Sequence, residues 1–496
     1  MPALWRPEPS RAPAFSPLSG LQFTNAASSR AGQIVIGGLA GGLLGAAVSS
    51  KASLAVALVG AVLSVIAISA ALVYPGRVFA VLVLALALIP TYAAPEIGSL
   101  LFIPAAALSW PIAGVLAWRN AMQEGRIFRP NAIDIVVLAF AVLMFVSLSF
   151  SAQVKTSDYL NDLFAWGGPY LAARLLLQDT KRPAFVLAAS FALATVIVAP
   201  VAVLESLGKT NPFLSLQFNP VESAVWAAPA SRLGQIRAEA SFGHPIALSM
   251  FVSASALLSL GMAIYARQPK ERLVWLALAS VAVGVQALTF SRTGWLMLVI
   301  GIVLFAVSTA ARAARRRLAF VLVVLGVAAV GLTIGGAPKE LRLFPSNEAG
   351  AEGAAFQNSG EYREALLERA LQPGVLHLWG NPVNRVTPAV SSTNGATDNA
   401  YIILADQWGL IPTLTLILIA VALLISIVLA RSRRAGEMVG LPIAAFASLC
   451  ALFFVAFITQ QQLMVWLLIG AASVVSDRAR PGRRPAQRPA AIPDRL

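Results

Sequence analysis

The sequence predicts an all-α, polytopic integral membrane protein with about 12–14 transmembrane helices, and three observations carry that prediction. Of its 496 residues, 58% are hydrophobic and only 12% charged, against roughly a quarter charged in an ordinary soluble domain. The apolar residues fall into runs of about twenty, the length that crosses a hydrocarbon core of about 30 Å as a helix. Lys and Arg concentrate between those runs. A transmembrane barrel would instead read as short alternating segments and is excluded. The single cysteine, Cys450, sits in an apolar run, so there is neither a disulfide scaffold nor a thiolate metal site. The net charge of +15 reads as membrane orientation and not as affinity for nucleic acid.

In chain order, residues 1–31 form a polar, Pro-rich tail with no cleavable signal, so the first span is itself the insertion signal. Apolar runs follow at 32–50, 52–73, 77–95, 99–118, 132–152, 159–177 and 183–205, the N-terminal bundle (32–205). An external connection, 206–244, precedes runs at 245–266, 272–290, 293–310 and 318–335, which make up a second group (245–335). A long external connection, 336–409, leads to runs at 410–430, 438–458 and 462–476, the C-terminal helices (410–476). A basic tail, 477–496, closes the chain. The Gly-rich first run, and the sixth with Asp162, Gly167, Gly168 and Arg174, are the weakest, hence the range in the count.

Orientation follows from the positive-inside rule. Alternate connections carry Arg77; Arg119, Arg126 and Arg129; Lys181 and Arg182; Arg267, Lys270 and Arg272; Arg312 and Arg315 to Arg317; and Arg431, Arg433 and Arg434. These read as cytoplasmic, as do both termini, leaving 206–244 and 336–409 on the outer face. Within the second, Glu361 to Leu371 is amphipathic and ends at Pro373-Gly374, and a further short helix is expected from Asn399 to Gln407 with Gly409 as its stop.

Three outer-face constellations could carry chemistry. Ser291-Arg292-Thr293-Gly294 joins two spans through almost no loop, so Arg292 either snorkels to headgroups or points into a cavity. Arg237 and His244 precede Pro245 at a span start, where Pro alone would explain the sequence as a first helical turn. Asp398-Asn399-Ala400-Tyr401 opens the short helix, where Asp398 is equally readable as an N-cap. Together, two arginines and a carboxylate would border one outer cavity. Arginine forks match phosphate oxygens and can neutralise a diphosphate without a metal. A carboxylate can orient or deprotonate a hydroxyl. Arg363, at the head of the amphipathic segment, is a further phosphate candidate or a plain surface charge. No metal-ligand cluster stands out; Asp158 and Asp162, four residues apart, read first as a solvated helix end. There is no Gly-rich loop ending in Gly-Lys-Ser/Thr, which leaves an ATP motor without support.

The run Leu288 to Trp295 containing Ser291-Arg292, the motif Asp398-Asn399-Ala400-Tyr401-Ile402 through Trp408-Gly409-Leu410, and Arg237 with Phe242-Gly243-His244-Pro245 together resemble the bacterial O-antigen ligase and O-antigen polymerase family. The resemblance covers roughly residues 235–430 and departs from the ligases at Asp398, where they usually carry histidine. It implies a membrane-embedded C-type glycosyltransferase of the bacterial inner membrane, working at the periplasmic face with no metal, nucleotide or other cofactor. Its donor would be a glycan on undecaprenyl diphosphate, and its acceptor a hydroxyl on another glycan or on lipid A core. By carry-over, Arg237, Arg292 and Asp398 would be catalytic, with Ser291, His244, Asn399, Tyr401 and Arg363 binding substrate. Membrane lipids and polysaccharide assembly proteins of the envelope would be its partners. The Asp-Asn pair favours polymerisation of O-antigen or exopolysaccharide repeat units over ligation into lipopolysaccharide. A lipid-linked oligosaccharide flippase or other transporter is the alternative from a different class.

Overall fold

The computed structural model describes residues 65–90, 96–97, 100–101, 103–124, 130–151, 154–208, 211–215, 231–232, 235–309, 367–380, 399–432, 436–455 and 460–478. These form a helical bundle. Beyond a helical stretch at 65–73, the helices are α1 (Pro75–Leu88), α2 (Pro104–Glu124), α3 (Ala132–Ser147), α4 (Thr156–Gln178), α5 (Pro183–Ser206), α6 (Pro245–Tyr265), α7 (Pro269–Leu288), α8 (Arg292–Thr309), α9 (Ala400–Gln407), α10 (Leu410–Ser432), α11 (Gly440–Ala451) and α12 (Gln460–Arg478). Two antiparallel ladders of two residues per strand, β1–β2 (Glu96–Ile97 with Leu100–Leu101) and β3–β4 (Ser231–Arg232 with Gln235–Ile236), decorate the connections.

Among the described residues, four helices are long and apolar enough to cross a membrane: α5, α6, α7 and residues Leu410–Ala430 of α10. Shorter apolar helices lie at Pro75–Leu88, Ala132–Ser147, Arg292–Ser308 and Gly440–Phe454. The outward faces are apolar as well as the core. On α10, Leu414, Ile417, Leu418, Val421, Ile425 and Val428 form an exposed stripe at helical spacing, while Leu416, Ile419 and Leu423 are buried. A helix that is hydrophobic all round is one buried in a protein core or in a membrane, so the exposed apolar stripe is compatible with a lipid-facing span.

Two expected spans are corrected. The run 99–118 becomes a helix only from Pro104 and continues to Glu124, because Leu100–Leu101 are taken up in the first ladder. The run 438–458 does not continue as one helix: α11 ends at Ala451, a 3-10 turn covers Leu452–Phe454, and Val455 is extended. The sixth run, doubtful from its composition, is an uninterrupted 23-residue helix, α4. The runs 32–50 and 318–335 lie outside the described residues.

Glycine lets α4 sit close to two neighbours. A Cβ at Gly168 would fall 2.4 Å from Ser109 Oγ of α2, and one at Gly470 of α12 only 2.3 Å from the Tyr170 carbonyl of α4. Between α4 and α12, Trp166 stacks on Trp466 with centroids 4.7 Å apart, and Phe140 of α3 packs on both.

The bundle has two chemically distinct ends. At one, Arg174 is fully buried and paired with Asp134 and Asp477, Tyr170 donates to Asp134, and Asn131 caps α3 while donating to the Ser473 carbonyl at 2.8 Å. Arg119 pairs with Asp179 nearby, and Arg182 lies 3.9 Å from Glu437. The other end gathers the end of α5, the starts of α6, α8 and α12, and the short helix α9.

Candidate functional site

At that second end, the connection leading into α6 docks on the connection between α7 and α8. Arg237 Nε donates to the Thr289 carbonyl at 3.0 Å, and the Ala238 amide donates to the Leu288 carbonyl at 3.0 Å. Through its Nε bond the Arg237 guanidinium is held two residues from Ser291 and three from Arg292. Arg292 is the first residue of α8 and its side chain is exposed, whereas Ser291 is buried.

A buried polar network holds this junction. Ser249 of α6 donates to Ser291 Oγ at 2.9 Å, and Gln286 Nε2 donates to the Ser291 carbonyl at 3.0 Å. Ser253 donates to the Gly294 carbonyl at 3.0 Å, and its Oγ lies 3.3 Å from Gln286 Oε1. A Cβ at Gly294 would lie 2.4 Å from both terminal amide atoms of Gln286, so a larger residue there would displace that side chain.

The Arg237 connection is pinned from the other side by Glu205, at the end of α5. One carboxylate oxygen accepts from the Glu239 and Ala240 amides at 2.9 and 2.8 Å, and the other accepts from Asn211 at 3.1 Å. Asn211 also donates to the Ala240 carbonyl at 2.7 Å. Ala240 is consequently held at φ +48°, and across the junction Phe290 is held at φ +47°. These are the only non-glycine residues with positive φ among the described residues. Such conformations cost about 1–3 kcal/mol each and persist where the surroundings over-determine them.

His244 stands at the N-cap of α6, its Nδ1 accepting from the Ile246 amide at 3.2 Å, with Pro245 next. That contact needs an unprotonated Nδ1. Burial, and then the neighbouring Arg237 charge, lower its pKa to about 4, so it is neutral near pH 7.

At the same end, Asn399 is the N-cap of α9, its Oδ1 accepting from the Tyr401 and Ile402 amides at 3.0 and 3.2 Å. This corrects the expected cap: the residue in that position is Asn399, not Asp398. Tyr401 donates to the Leu449 carbonyl at 3.0 Å, and burial, with Cys450 beside it, raises its pKa. Its hydroxyl is therefore a neutral donor that fastens α9 to α11. Gly409, at φ +97°, ends the turn after α9, and the chain there receives the 377–380 segment through Leu410 N to His377 O at 2.9 Å. Asp398 and Arg363 lie outside the described residues, as does the amphipathic segment before residue 367.

Thus Arg237, His244, Ser291 and Arg292 share one junction, and Asn399 and Tyr401 belong to a helix at the same end of the bundle. Sequence reasoning missed Glu205, Gln286, Thr289, Ser249 and the three glutamines Gln460, Gln461 and Gln462. Gln460 Nε2 donates to the Ser241 carbonyl at 2.8 Å and to the Ile89 carbonyl at 3.3 Å. Three successive glutamines opening an apolar run were the available signal. No His, Cys, Asp or Glu group suited to a metal ion occurs among the described residues. Comparison with protein-family models finds no match, and comparison with curated proteins finds none.

Proposed function

We propose that this protein is a glycosyltransferase embedded in the bacterial inner membrane, taking a glycan from undecaprenyl diphosphate at the periplasmic face and joining it to an acceptor hydroxyl. In this reading the product is a growing O-antigen or exopolysaccharide chain. The observation that carries the reading is the Arg237 junction: a guanidinium anchored by Nε to the connection that begins α8 at Arg292, with both flanking connections in strained backbone. Rigidly placed arginine forks are suited to the oxygens of a diphosphate, whose charge grows as it leaves. The motif resemblance supplies the substrate class and the wider architecture of about 12–14 spans with a large periplasmic loop.

The step balances simply. The acceptor oxygen attacks the anomeric carbon, the bond from that carbon to the diphosphate oxygen breaks, and undecaprenyl diphosphate departs with the charge held by Arg237 and Arg292. The acceptor proton passes to a base. Asp398, immediately before the Asn399 cap, is assigned that role. Ser291 and His244 support the junction, Asn399 and Tyr401 set α9 beside it, and Arg363 is a further contact for the phosphate or glycan.

A transporter reading draws on one observation, the buried Arg174–Asp134–Asp477 cluster, since ionisable groups inside a membrane often mark a pathway. The test is reconstitution in nanodiscs with an undecaprenyl-diphosphate-linked repeat unit, without ATP. A ladder of lipid-linked oligomers is expected. Arg292→Ala should abolish it, and Arg292→Lys should retain part, because Lys cannot form the bidentate contact. Product only after adding lipid A core marks a ligase; equal activity in both variants refutes the diphosphate role, and no product under either condition favours transport.

A further inference from the structure

Gln461 is 1% exposed, and neither its amide nitrogen nor its amide oxygen has a hydrogen-bond partner. A buried amide in that state forfeits about 1–3 kcal/mol for each unpaired group, so a folded chain keeps it only for a reason. Its neighbours are polar in the same sense. Gln460 has its Nε2 engaged and its Oε1 unpaired. Asp162 of α4 faces Gln462, and the Nε1 of Trp408, the residue after α9, is buried without a hydrogen-bond partner among the described residues. One turn further along both helices, Asp162 and Gln462 are followed by the stacked Trp166 and Trp466, and the Trp166 Nε1 is also buried without a partner.

Position gives this cluster its meaning. Gln460 is bonded to the Ser241 carbonyl, three residues before His244, so the glutamines adjoin the connection that carries Arg237. On the other side, Asp162 lies near Trp408, the residue that follows α9. The start of α12 therefore borders the connection that carries Arg237.

We propose that Gln461, Gln460 Oε1 and Asp162 form a hydroxyl-recognition subsite for the sugar attached directly to the donor diphosphate. This rests on the glycosyltransferase reading and names which part of its substrate the site grips. A primary amide offers one acceptor and two donors side by side, which pairs with adjacent ring hydroxyls, and a carboxylate accepts from a third. A sugar hydroxyl there pairs with the Gln461 amide, which has no partner among the described residues.

The experiment uses the full chain in nanodiscs and two probes: undecaprenyl diphosphate alone, and undecaprenyl diphosphate carrying one N-acetylhexosamine. The wild-type protein should bind the sugar-bearing probe about tenfold or more tighter, since a site built for hydroxyls rejects a ligand lacking them. Gln461→Met keeps the side-chain volume and removes the amide. It should erase that preference, leave the Kd for the bare lipid unchanged, and not lower the unfolding temperature. Asp162→Asn should reduce the preference, and decides the matter if the Met variant does not fold. Arg292→Ala should weaken both probes together. Retention of the full preference in the Gln461 and Asp162 variants overturns the subsite while leaving the diphosphate reading intact. Failure of the wild-type protein to bind either probe overturns both.

Discussion

Glu205→Gln tests whether the Arg237 connection is held in place by the end of α5. The carboxylate accepts three hydrogen bonds, two from backbone amides at 2.9 and 2.8 Å and one from Asn211 at 3.1 Å. A carboxamide of the same shape keeps the two backbone bonds only by turning its oxygen toward them, and its NH2 then faces the Asn211 NH2. Losing charge assistance costs about 1 kcal/mol at each backbone bond, and losing the Asn211 bond about 1 more. A neutral group is cheaper to bury, which offsets about 1 of those 3 kcal/mol. The net is about 2 kcal/mol, or roughly a 30-fold gain in local opening. Hydrogen exchange read by mass spectrometry should therefore show roughly 30-fold faster exchange in peptides covering 237–243, with peptides from α10 unchanged. On the glycosyltransferase reading proposed above, the donor KM should rise with it, because Arg237 is positioned through this connection. Unchanged protection at 237–243 would refute the argument.

Two further outcomes follow from the buried charges. The His244 pKa is about 4 in the fold against 6.5 unfolded; its neutral form is the native one, so its stabilisation is complete above about pH 6.5 and is lost as pH falls toward 4, about 3 kcal/mol in all. His244→Asn keeps a capping oxygen and should flatten that stretch of the stability–pH curve measured by thermal unfolding. Arg174→Met leaves Asp134 and Asp477 buried without their cation and should destabilise the bundle by about 3–5 kcal/mol. Adding Asp134→Asn and Asp477→Asn should recover part of that loss in the same assay, and no recovery would show that the guanidinium acts by packing alone.

Much of the helical layout was legible because hydrophobic length and helix punctuation are local. The run 183–205 is Pro183–Ser206, Pro245 opens α6 as expected, and Gly409 sits where α9 stops. The errors arose where backbone pairing overrode hydropathy. Leu100 and Leu101 are apolar enough for a span yet pair with Glu96 and Ile97, and the Val455 carbonyl accepts from Ala400 at 3.0 Å where α11 was expected to continue. The candidate residues stand out in the sequence as motifs, whereas the pairings that surround them do not. Glu205 meets Ala240 across 35 residues, and Gln460 meets Ser241 across 219. Neither pairing has a local signature, and a search for apolar runs passes over three glutamines at the start of one.

The two strained residues explain why composition was silent at the junction itself. Positive φ is usually announced by glycine or asparagine, yet here it falls on Ala240 and Phe290. Glycine would relieve the strain and also loosen both connections, since it costs more entropy to order. Phe290 precedes Ser291-Arg292, and Ala240 follows Arg237 by three residues, so each arginine extends from a backbone with few alternative conformations. The surroundings make that possible: Glu205 and Asn211 hold one connection, while Gln286, Ser249 and Ser253 hold the other. A site that must stabilise charge as it develops benefits from donors already fixed in place. A surface arginine serving only to anchor the chain at a lipid headgroup would need neither the strain nor the network beneath it.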